Sequence, residues 1–541
     1  MATSEYPERL NAATVLVDDN LAAGRGEKPA LLCGERTVTY AQLAEGVNRF
    51  GNLLRNLGVR LEERVALLMP DTPELVFAFF GSMKIGAVAI PMNTLLTPKD
   101  YEYLLNDSRA RTLVIHASLL GHIEPIRSQL RYLEHVLVAG ARDGGLRTTD
   151  CGLEAEIRTW SLEAMMAGAA AELDAADTSK DDSAFWLYSS GTTGFPKGAI
   201  HLHHDMLVEA DLYASGVLGL RESDVCFSVA KLFFAYGLGN GLYFALRVGG
   251  ANVLLPGRPT PEAVFETVDR YQPTVFYSVP TSYAQLLHLA EKAGRTSLGR
   301  VRMCVSAGEP LPKPLFERWR DRFGVEILDG IGSTEILHIF ISNRPGRARA
   351  GSTGEIVPGY EARITDEAGR ELPAGEVGTL FIKGDSIAAG YWNKHEQTKA
   401  TFQGEWINTH DKFSVDRDGY YWYAGRTDDM IKVSGMAVWP TEVEAILQAH
   451  PAVLESGVAG VEDAEGLAKP FAFVVLKSGH KGSPALAREL QEFVKDRAAK
   501  YKYPRWVEFV HELPKTATGK IQRYKLRELG AAARWLHDQQ Q

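Results

Sequence analysis

Only four cysteines occur in the chain, Cys33, Cys151, Cys226 and Cys304, each more than seventy residues from the next and none in a CxxC pair. Neither a zinc knuckle nor a disulfide framework is therefore expected, and a reducing cytoplasm fits the usage. The segment Met1 to Leu10 lacks a basic stretch leading into an apolar run, so no secretory leader is expected. Long apolar runs are missing too. The most apolar stretch, Leu75 to Met92, is interrupted by Gly81, Lys84, Gly86 and Pro91, whereas a membrane span needs ~20 nearly unbroken apolar residues. It reads as a buried helix running into a strand. Excess positive charge is absent: the net charge of -9 gives no global attraction for nucleic acid or an anionic membrane. Any anionic ligand must be held by local charge. No GxSxG occurs, which sets aside a serine hydrolase built on a nucleophile elbow, and there is no internal repeat or low-complexity tract.

What is present is ordinary globular composition in a chain too long for one core. With 541 residues, 45% hydrophobic and 23% charged, at least two domains are expected. β-rich runs (Arg64 to Met69, Ala87 to Pro91, Thr112 to His116) alternate with helical patterns (Leu43 to Leu57, Pro98 to Asn106), which predicts layered α/β architecture. The Ala-, Asp- and Gly-rich stretch Gly140 to Asp182 reads as a surface excursion before a strand at Ala184 to Tyr188. From Gly354 onward, turns bracket short strands such as Gly378 to Lys383 and Tyr420 to Ala424, a β-rich subdomain. After Arg426 the pattern changes to a compact α+β module that includes Phe471 to Leu476, a helix at Pro484 to Ala499 and a strand at Trp506 to Phe509. The expected division is residues 1–427 and residues 428–541, the second a small mobile domain, with a hinge at Asp428.

The densest chemical signal is Tyr188 to Gly198, YSSGTTGFPKG, between two apolar runs. Its glycines let the backbone approach an anion and point N–H groups at it; Ser189, Ser190, Thr192 and Thr193 add hydroxyl donors around Gly191 and Gly194, and Lys197 supplies charge. It is not a Walker loop, because Gly198 stands where Ser or Thr is required after the lysine. In DGIGSTE, Asp329 to Glu335, Thr334 can hydrogen-bond a phosphate and Glu335 can hold Mg²⁺, which takes one or two carboxylates plus phosphate oxygens. Asp411 and Arg426 are residue types suited to ribose hydroxyls and phosphate or ribose oxygens.

YSSGTTGFPKG, SAGEP (Ser306 to Pro310), DGIGSTE, HDKFSVDRDGYYWYAGRTDDMIKVSG (His410 to Gly435) and PKTATGK (Pro514 to Lys520) together resemble the adenylate-forming superfamily of acyl-CoA synthetases, luciferases and nonribosomal-peptide adenylation domains, in that family's order. The resemblance covers most of the chain. It implies that Ala307, Gly308 and Glu309 frame an adenine, with Asp329, Gly330, Ile331 and Ser333 beside it, and that Asp411 and Arg426 meet the nucleotide. It gives Lys520 the task of stabilising charge on α-phosphate and leaving pyrophosphate, and makes Asp428 the hinge of a rotation that replaces Lys520 by the face carrying Lys432, Ser434 and Gly435 for coenzyme A. The basic aromatic run Lys495 to Trp506 is either a contact for the phosphates of coenzyme A or an ordinary amphipathic helix end.

The segment KLFFAYGLGNG, Lys231 to Gly241, aligns with that family's substrate gate, with Phe234 where a histidine often stands. Phe234, Ala235 and Tyr236 then suggest a flat apolar slot for a ring, with Gly332, His338 and Ile339 on the pocket floor. His338 either contacts the substrate or is a satisfied core residue. These runs look closest to the benzoate-CoA ligase group, which implies an aromatic acid, ATP and coenzyme A as small-molecule partners, Mg²⁺ as cofactor and AMP as product. Medium-chain fatty acids, other aryl acids, loading of a carrier protein, and a nucleotide sensor without catalysis are the alternatives. The oligomeric state is left open, a homodimer included.

Overall fold

The computed structural model describes residues 6–140, 157–189, 196–426, 429–433, 436–463, 467–515 and 521–538. A seven-stranded sheet runs in the order Arg158–Ser161, His135–Ala139, Thr112–His116, Arg64–Leu68, Val88–Pro91, Ser183–Ser189, Lys197–Leu202. Every neighbouring pair is parallel except the last, an antiparallel hairpin. A nine-stranded sheet contains the parallel run Ile327–Gly332, Met303–Ser306, Val275–Ser278, Val225–Ser228, Ala251–Val253, Pro29–Cys33, with antiparallel strands at both ends. Central strands such as Arg64–Leu68, Val88–Pro91 and Val275–Ser278 are near-continuous apolar runs, as expected where both faces of a parallel sheet are covered.

The expected buried helix is Pro73–Lys84, in which every side chain except that of Glu74 is buried, followed by the strand Val88–Pro91. Lys84 is only 3% exposed and is held by Asp18 at 2.7 Å, as a buried ammonium requires. The helix Tyr40–Asn56 begins where Thr39 and Gln42 form a reciprocal capping box, and Leu43, Val47, Phe50 and Leu54 put one stripe into the core.

A third, five-stranded antiparallel sheet (Glu361–Thr365, Gly378–Lys383, Trp406–Val415, Phe402–Gln403, Tyr421–Arg426) is the anticipated β-rich part. The smaller C-terminal part has a three-stranded sheet, Val453–Glu462, Ala468–Leu476, Trp506–Phe509, with helices Pro440–Gln448, Pro484–Lys495 and Arg523–Asp538. Among the described residues no helix is long and apolar enough to cross a membrane.

Two expectations need correction. The stretch Gly140 to Asp182 is not wholly an excursion: Arg158–Ser161 is the parallel edge strand of the first sheet, and Leu162–Ala167 is a helix. Its alanine-rich remainder is fastened partly through backbone, since Asn48 and Asn52 donate to the carbonyls of Ala171 and Ala170, each at 2.9 Å, and partly by Ala169 and Leu173 packing on the core. The helix expected over Pro484 to Ala499 stops at Lys495, and a short 3-10 turn follows at Lys500–Lys502.

Candidate active site

The strands Ser183–Ser189 and Lys197–Leu202 pair with Ser189 opposite Lys197, so the segment between them joins two directly facing residues. That join lies at the carboxyl end of a strand parallel to its neighbour, the edge where open α/β sheets bind ligands. Ser190, Gly191, Thr192, Thr193 and Gly194 lie outside the described residues. Their flanks are tied to one carboxylate. Tyr188 donates its hydroxyl to Asp107 Oδ2 at 2.8 Å, Lys394 Nζ reaches Asp107 Oδ1 at 3.1 Å, and Tyr103 donates to the Pro196 carbonyl at 3.0 Å.

Glu335 stands on the 3-10 turn Thr334–Ile336, capped by Ser333 Oγ, which accepts from Ile336 N at 3.2 Å. That cap uses the Ser333 hydroxyl. Glu335 Oε1 accepts from Tyr391 OH at 2.8 Å and from Ser189 Oγ at 3.2 Å. Lys197 Nζ lies 4.3 Å from the centroid of the Tyr391 ring, a cation on an aromatic face. Thr334 is held through its carbonyl, which accepts from His201 Nε2 at 2.8 Å; His201 Nδ1 is 2.9 Å from Asp205 Oδ2, and both side chains have no exposure. Because a carbonyl only accepts, Nε2 carries a proton, and the Nδ1 contact requires a second one shared between the ring and Asp205 Oδ2.

Across the second sheet, Ser278, Ser306 and Asp329 stand in register on adjacent strands. Ala307 is 3% exposed, and Gly308 has φ +89°, a turn favouring glycine. Glu309 Oε2 accepts from Thr281 Oγ1 at 2.9 Å, and burial pushes its carboxyl up to about 7 against an opposing pull from Lys515. Burial also holds Asp329 well above the carboxylate range. Among the described residues, Glu309 Oε1 and Asp329 Oδ1 are buried oxygens with no protein partner, suited to the amino and ring nitrogens of a base. Gly330 and Gly332 let the strand approach its antiparallel neighbour: a Cβ on Gly330 would stand 2.9 Å from the Ile341 carbonyl, and one on Gly332 would collide with the His338 carbonyl. Ile331 is half-buried and packs against the main core.

The aromatic segment is assembled beside Glu335. Phe234 meets Phe233 edge-on with ring centroids 4.5 Å apart, and Ala235 is 8% exposed at the start of a short helix. Tyr236 donates its hydroxyl to the carbonyls of Ser278 and Val305, both at 3.1 Å. His338 Nε2 donates to the Tyr236 carbonyl at 3.1 Å, and its ring packs among Tyr213, Tyr236 and Phe244. Burial takes this imidazole down to about 3, so it is neutral and offers no cation to a carboxylate. It secures Tyr236 instead, while Ile339 is 1% exposed in the adjoining strand. The non-glycine φ of +77° at Leu337 is the strained step that turns His338 inward.

Asp411 and Arg426, fifteen residues apart, are a directly opposed cross-strand pair, and His410 before Asp411 has φ +60°. Lys432 lies on the short strand Ile431–Val433. Asp428, Ser434, Gly435 and Lys520 fall outside the described residues. Lys520 directly precedes Ile521, which bridges to Lys515, the residue whose charge acts on Glu309. In the basic aromatic run, Lys495 pairs with Glu492 at 2.7 Å and Lys502 with Glu442 at 2.6 Å, so those two charges are already engaged within the protein.

Asp107, His201, Asp205 and Tyr391 were not singled out from sequence; the HLHHD run after Lys197 carried the only local signal, and Tyr391 carried none. Among the described residues, no group of three His, Cys, Asp or Glu side chains could hold a metal alone. Glu335, with Oε1 engaged, fits Mg²⁺ in the manner of one carboxylate completed by phosphate oxygens.

A glycine- and hydroxyl-rich link at the carboxyl edge of a parallel sheet, with Lys197 at its foot and Glu335 beside Ser189, defines a nucleotide-binding enzyme that works on phosphates. The chain belongs to the AMP-binding enzyme family, which matches residues 19–392, while the AMP-binding enzyme C-terminal domain matches residues 442–520. It is 51% identical over 525 residues to the benzoate–CoA ligase of Thauera aromatica, covering 97% of each chain. Its structure resembles that of an anthranilate CoA ligase, AuaEII, in complex with anthranoyl-AMP (TM-score 0.91, 45% identity, 98% of this chain and 99% of that one). It also resembles a benzoate CoA ligase from Burkholderia xenovorans LB400 (TM-score 0.87, 46% identity, 96% of this chain and 100% of that one).

Proposed function

We propose that the protein joins an aromatic carboxylic acid, benzoate or a close analogue, to coenzyme A through an acyl-adenylate, consuming ATP and releasing AMP and pyrophosphate. The observation that carries this reading is the joining of an aromatic wall to the phosphate site: His338, three residues beyond Glu335, grips Tyr236 by its carbonyl at 3.1 Å. Likeness to a benzoate–CoA ligase over nearly the full length supports a ring as the body of the acid.

In the first half-reaction a carboxylate oxygen bonds to the α-phosphorus of ATP and the bond to pyrophosphate breaks. Lys197 and Lys520 offset the charge that builds on the equatorial and leaving oxygens. Mg²⁺, when bound through Glu335 and phosphate oxygens, supplies further charge neutralisation. The apolar wall of Phe234, Ala235 and Tyr236 excludes the water that would hydrolyse the mixed anhydride. In the second half-reaction the thiol of coenzyme A gives up its proton to solvent, its sulfur bonds to the acyl carbon, and the bond from that carbon to the AMP phosphate oxygen breaks. The domains proposed are residues 1–427 and residues 428–541, turning about Asp428, so that the face of Lys432, Ser434 and Gly435 replaces Lys520. Asp411 and Arg426 are assigned to the nucleotide on the support of their cross-strand pairing. Cys33, Cys226 and Cys304 are buried free thiols, which supports work in a reducing cytoplasm on small-molecule partners.

The test is a panel of benzoate, 4-hydroxybenzoate and hexanoate with ATP, Mg²⁺ and coenzyme A, following AMP and thioester. Aryl acids are expected to outpace hexanoate at least tenfold in kcat/KM. Preference for hexanoate refutes the aromatic assignment, and adenylation without thioester formation on free coenzyme A points to a carrier protein as acceptor.

A further inference from the structure

The geometry points to Tyr391 as a positioning residue that sets the carboxylate of Glu335 and the ammonium of Lys197 against one another for a metal-bound triphosphate. The inference rests on the proposed ATP chemistry and deepens it.

Tyr391 is 6% exposed and is fixed from several directions. Its segment adds to the strand that starts at Lys197: Ile200 N donates to the Gly390 carbonyl at 3.0 Å, Ala389 N to the Ile200 carbonyl at 2.9 Å and Trp392 N to the Gly198 carbonyl at 2.9 Å. Just before it, Ala388 N donates to the backbone carbonyl of Glu335 at 2.8 Å. Just after it, the Trp392 indole donates to the Asp107 carbonyl at 2.8 Å, the residue that ties the flanks of the phosphate link. Thus one short segment is bonded to the lysine strand, to the carboxylate turn and to the anchor of the link.

From that base the side chain serves both charges. Its hydroxyl donates to Glu335 Oε1 at 2.8 Å, and its ring face carries Lys197 Nζ at 4.3 Å, with Phe402 edge-on behind it at 5.3 Å. A donor on Oε1 fixes the carboxylate rotamer and leaves Oε2 to meet a cation, the arrangement by which outer partners orient a metal ligand. The aromatic face steadies the ammonium without itself bringing an opposite charge to it.

Two variants separate these tasks. Tyr391→Phe keeps the ring and removes the donor; Tyr391→Leu removes both. Calorimetry of ATP binding to the full chain, with Mg²⁺ varied, reads them without any acid substrate. For Tyr391→Phe, the Mg²⁺ concentration that half-saturates the gain in ATP affinity should rise about tenfold, the usual cost of losing such a partner, while metal-free ATP binding stays within twofold. For Tyr391→Leu, metal-free binding should also weaken several-fold. Ser189→Ala, which removes the longer of the two bonds to Oε1, should shift the Mg²⁺ requirement in the same direction by less. An unchanged Mg²⁺ requirement in a folded Tyr391→Phe, or equal losses with and without Mg²⁺, overturns the assignment. Wild-type protein that binds Mg²⁺ and ATP yet turns over no aryl acid refutes the proposed substrate and leaves this outcome readable.

Discussion

Replacing Glu209 by glutamine tests whether a carboxyl group deep under the aromatic pocket is held neutral. Glu209 ends the helix Asp205–Glu209 with no exposure, and its Oε1 accepts from Tyr360 OH at 2.8 Å and, at the limit of reach, from Ser386 Oγ at 3.4 Å. Burial pushes the group from the usual 4.5 up to about 8, outweighing the two hydroxyl donors, with the nearby Asp205 adding to the rise. The folded state therefore binds this proton over a range where the unfolded chain has released it. Stability is fully present below about pH 4.5 and is lost as pH rises through about 8. One such proton gives a slope of at most about 1.4 kcal/mol per pH unit, so between pH 6 and pH 8 the wild-type protein should lose about 2 kcal/mol from this group. Glu209→Gln keeps an acceptor for Tyr360 and removes the titration. Guanidinium unfolding at the two pH values, read on the first cooperative transition because the chain has several domains, should show that loss in the wild type alone. Equal pH dependence in both proteins would falsify the neutral-carboxyl reading.

Lys520→Ala should nearly abolish adenylation while sparing thioester formation from supplied benzoyl-AMP, and equal loss of both half-reactions contradicts the assigned division. Lys432→Ala should do the converse; thioester kinetics that match wild type remove that face from the coenzyme A side. Ala235→Leu should cut kcat/KM for benzoate by about tenfold or more through overpacking of the slot, and an unaltered value takes Ala235 out of the pocket. His201→Ala takes the ring away from the buried Asp205 and leaves it, among the described residues, only Leu202 N and the more distant His204, which should destabilise the protein by about 3 kcal/mol; a chemical-denaturation midpoint within error of wild type would show that the pair carries little.

Local chemistry explains what could be read in advance. The Ser189 to Lys197 link announces itself because many hydroxyls and glycines crowd a few positions, and strands such as Val88–Pro91 are uniformly apolar because both faces are covered. The strand Val453–Glu462 is faint in the sequence because glycine and glutamate dilute its apolar residues, although its centre is buried. Nothing in the basic IQRYK run marks a buried charge, yet Arg523 opens the helix Arg523–Asp538 and pairs with Glu444 at 2.7 Å; an ion pair between residues seventy-nine apart leaves no mark in either neighbourhood. The same holds for the site. Tyr391 meets Glu335 across fifty-six residues and His201 meets Thr334 across one hundred and thirty-three, so their roles arise only when the two sheets come together.

The division of the cores bears on how one site can serve two reactions. Side chains from the first three sheets join one continuous apolar cluster: Val65 and Phe185 from the seven-stranded sheet, Val275 and Leu328 from the nine-stranded sheet, and Leu380 and Phe413 from the five-stranded sheet. Moving any of those sheets would open that cluster, which supports a fixed geometry for Lys197, Glu335 and the aromatic wall. The C-terminal strands bury their apolar residues in clusters of their own, around Val438, Val474 and Leu490 and around Phe471, Phe473 and Leu526. Among the described residues, links between the two parts include Thr441 Oγ1 donating to the Ala424 carbonyl at 3.1 Å, the Trp439 ring beside Gly425, and the charge of Lys515 acting on Glu309. A body with its own core can turn without unpacking the core of its neighbour. That asymmetry supports placing the exchangeable groups, Lys520 and the face around Lys432, on the C-terminal part, while the groups that must stay put for both anhydride and thioester belong to the larger one.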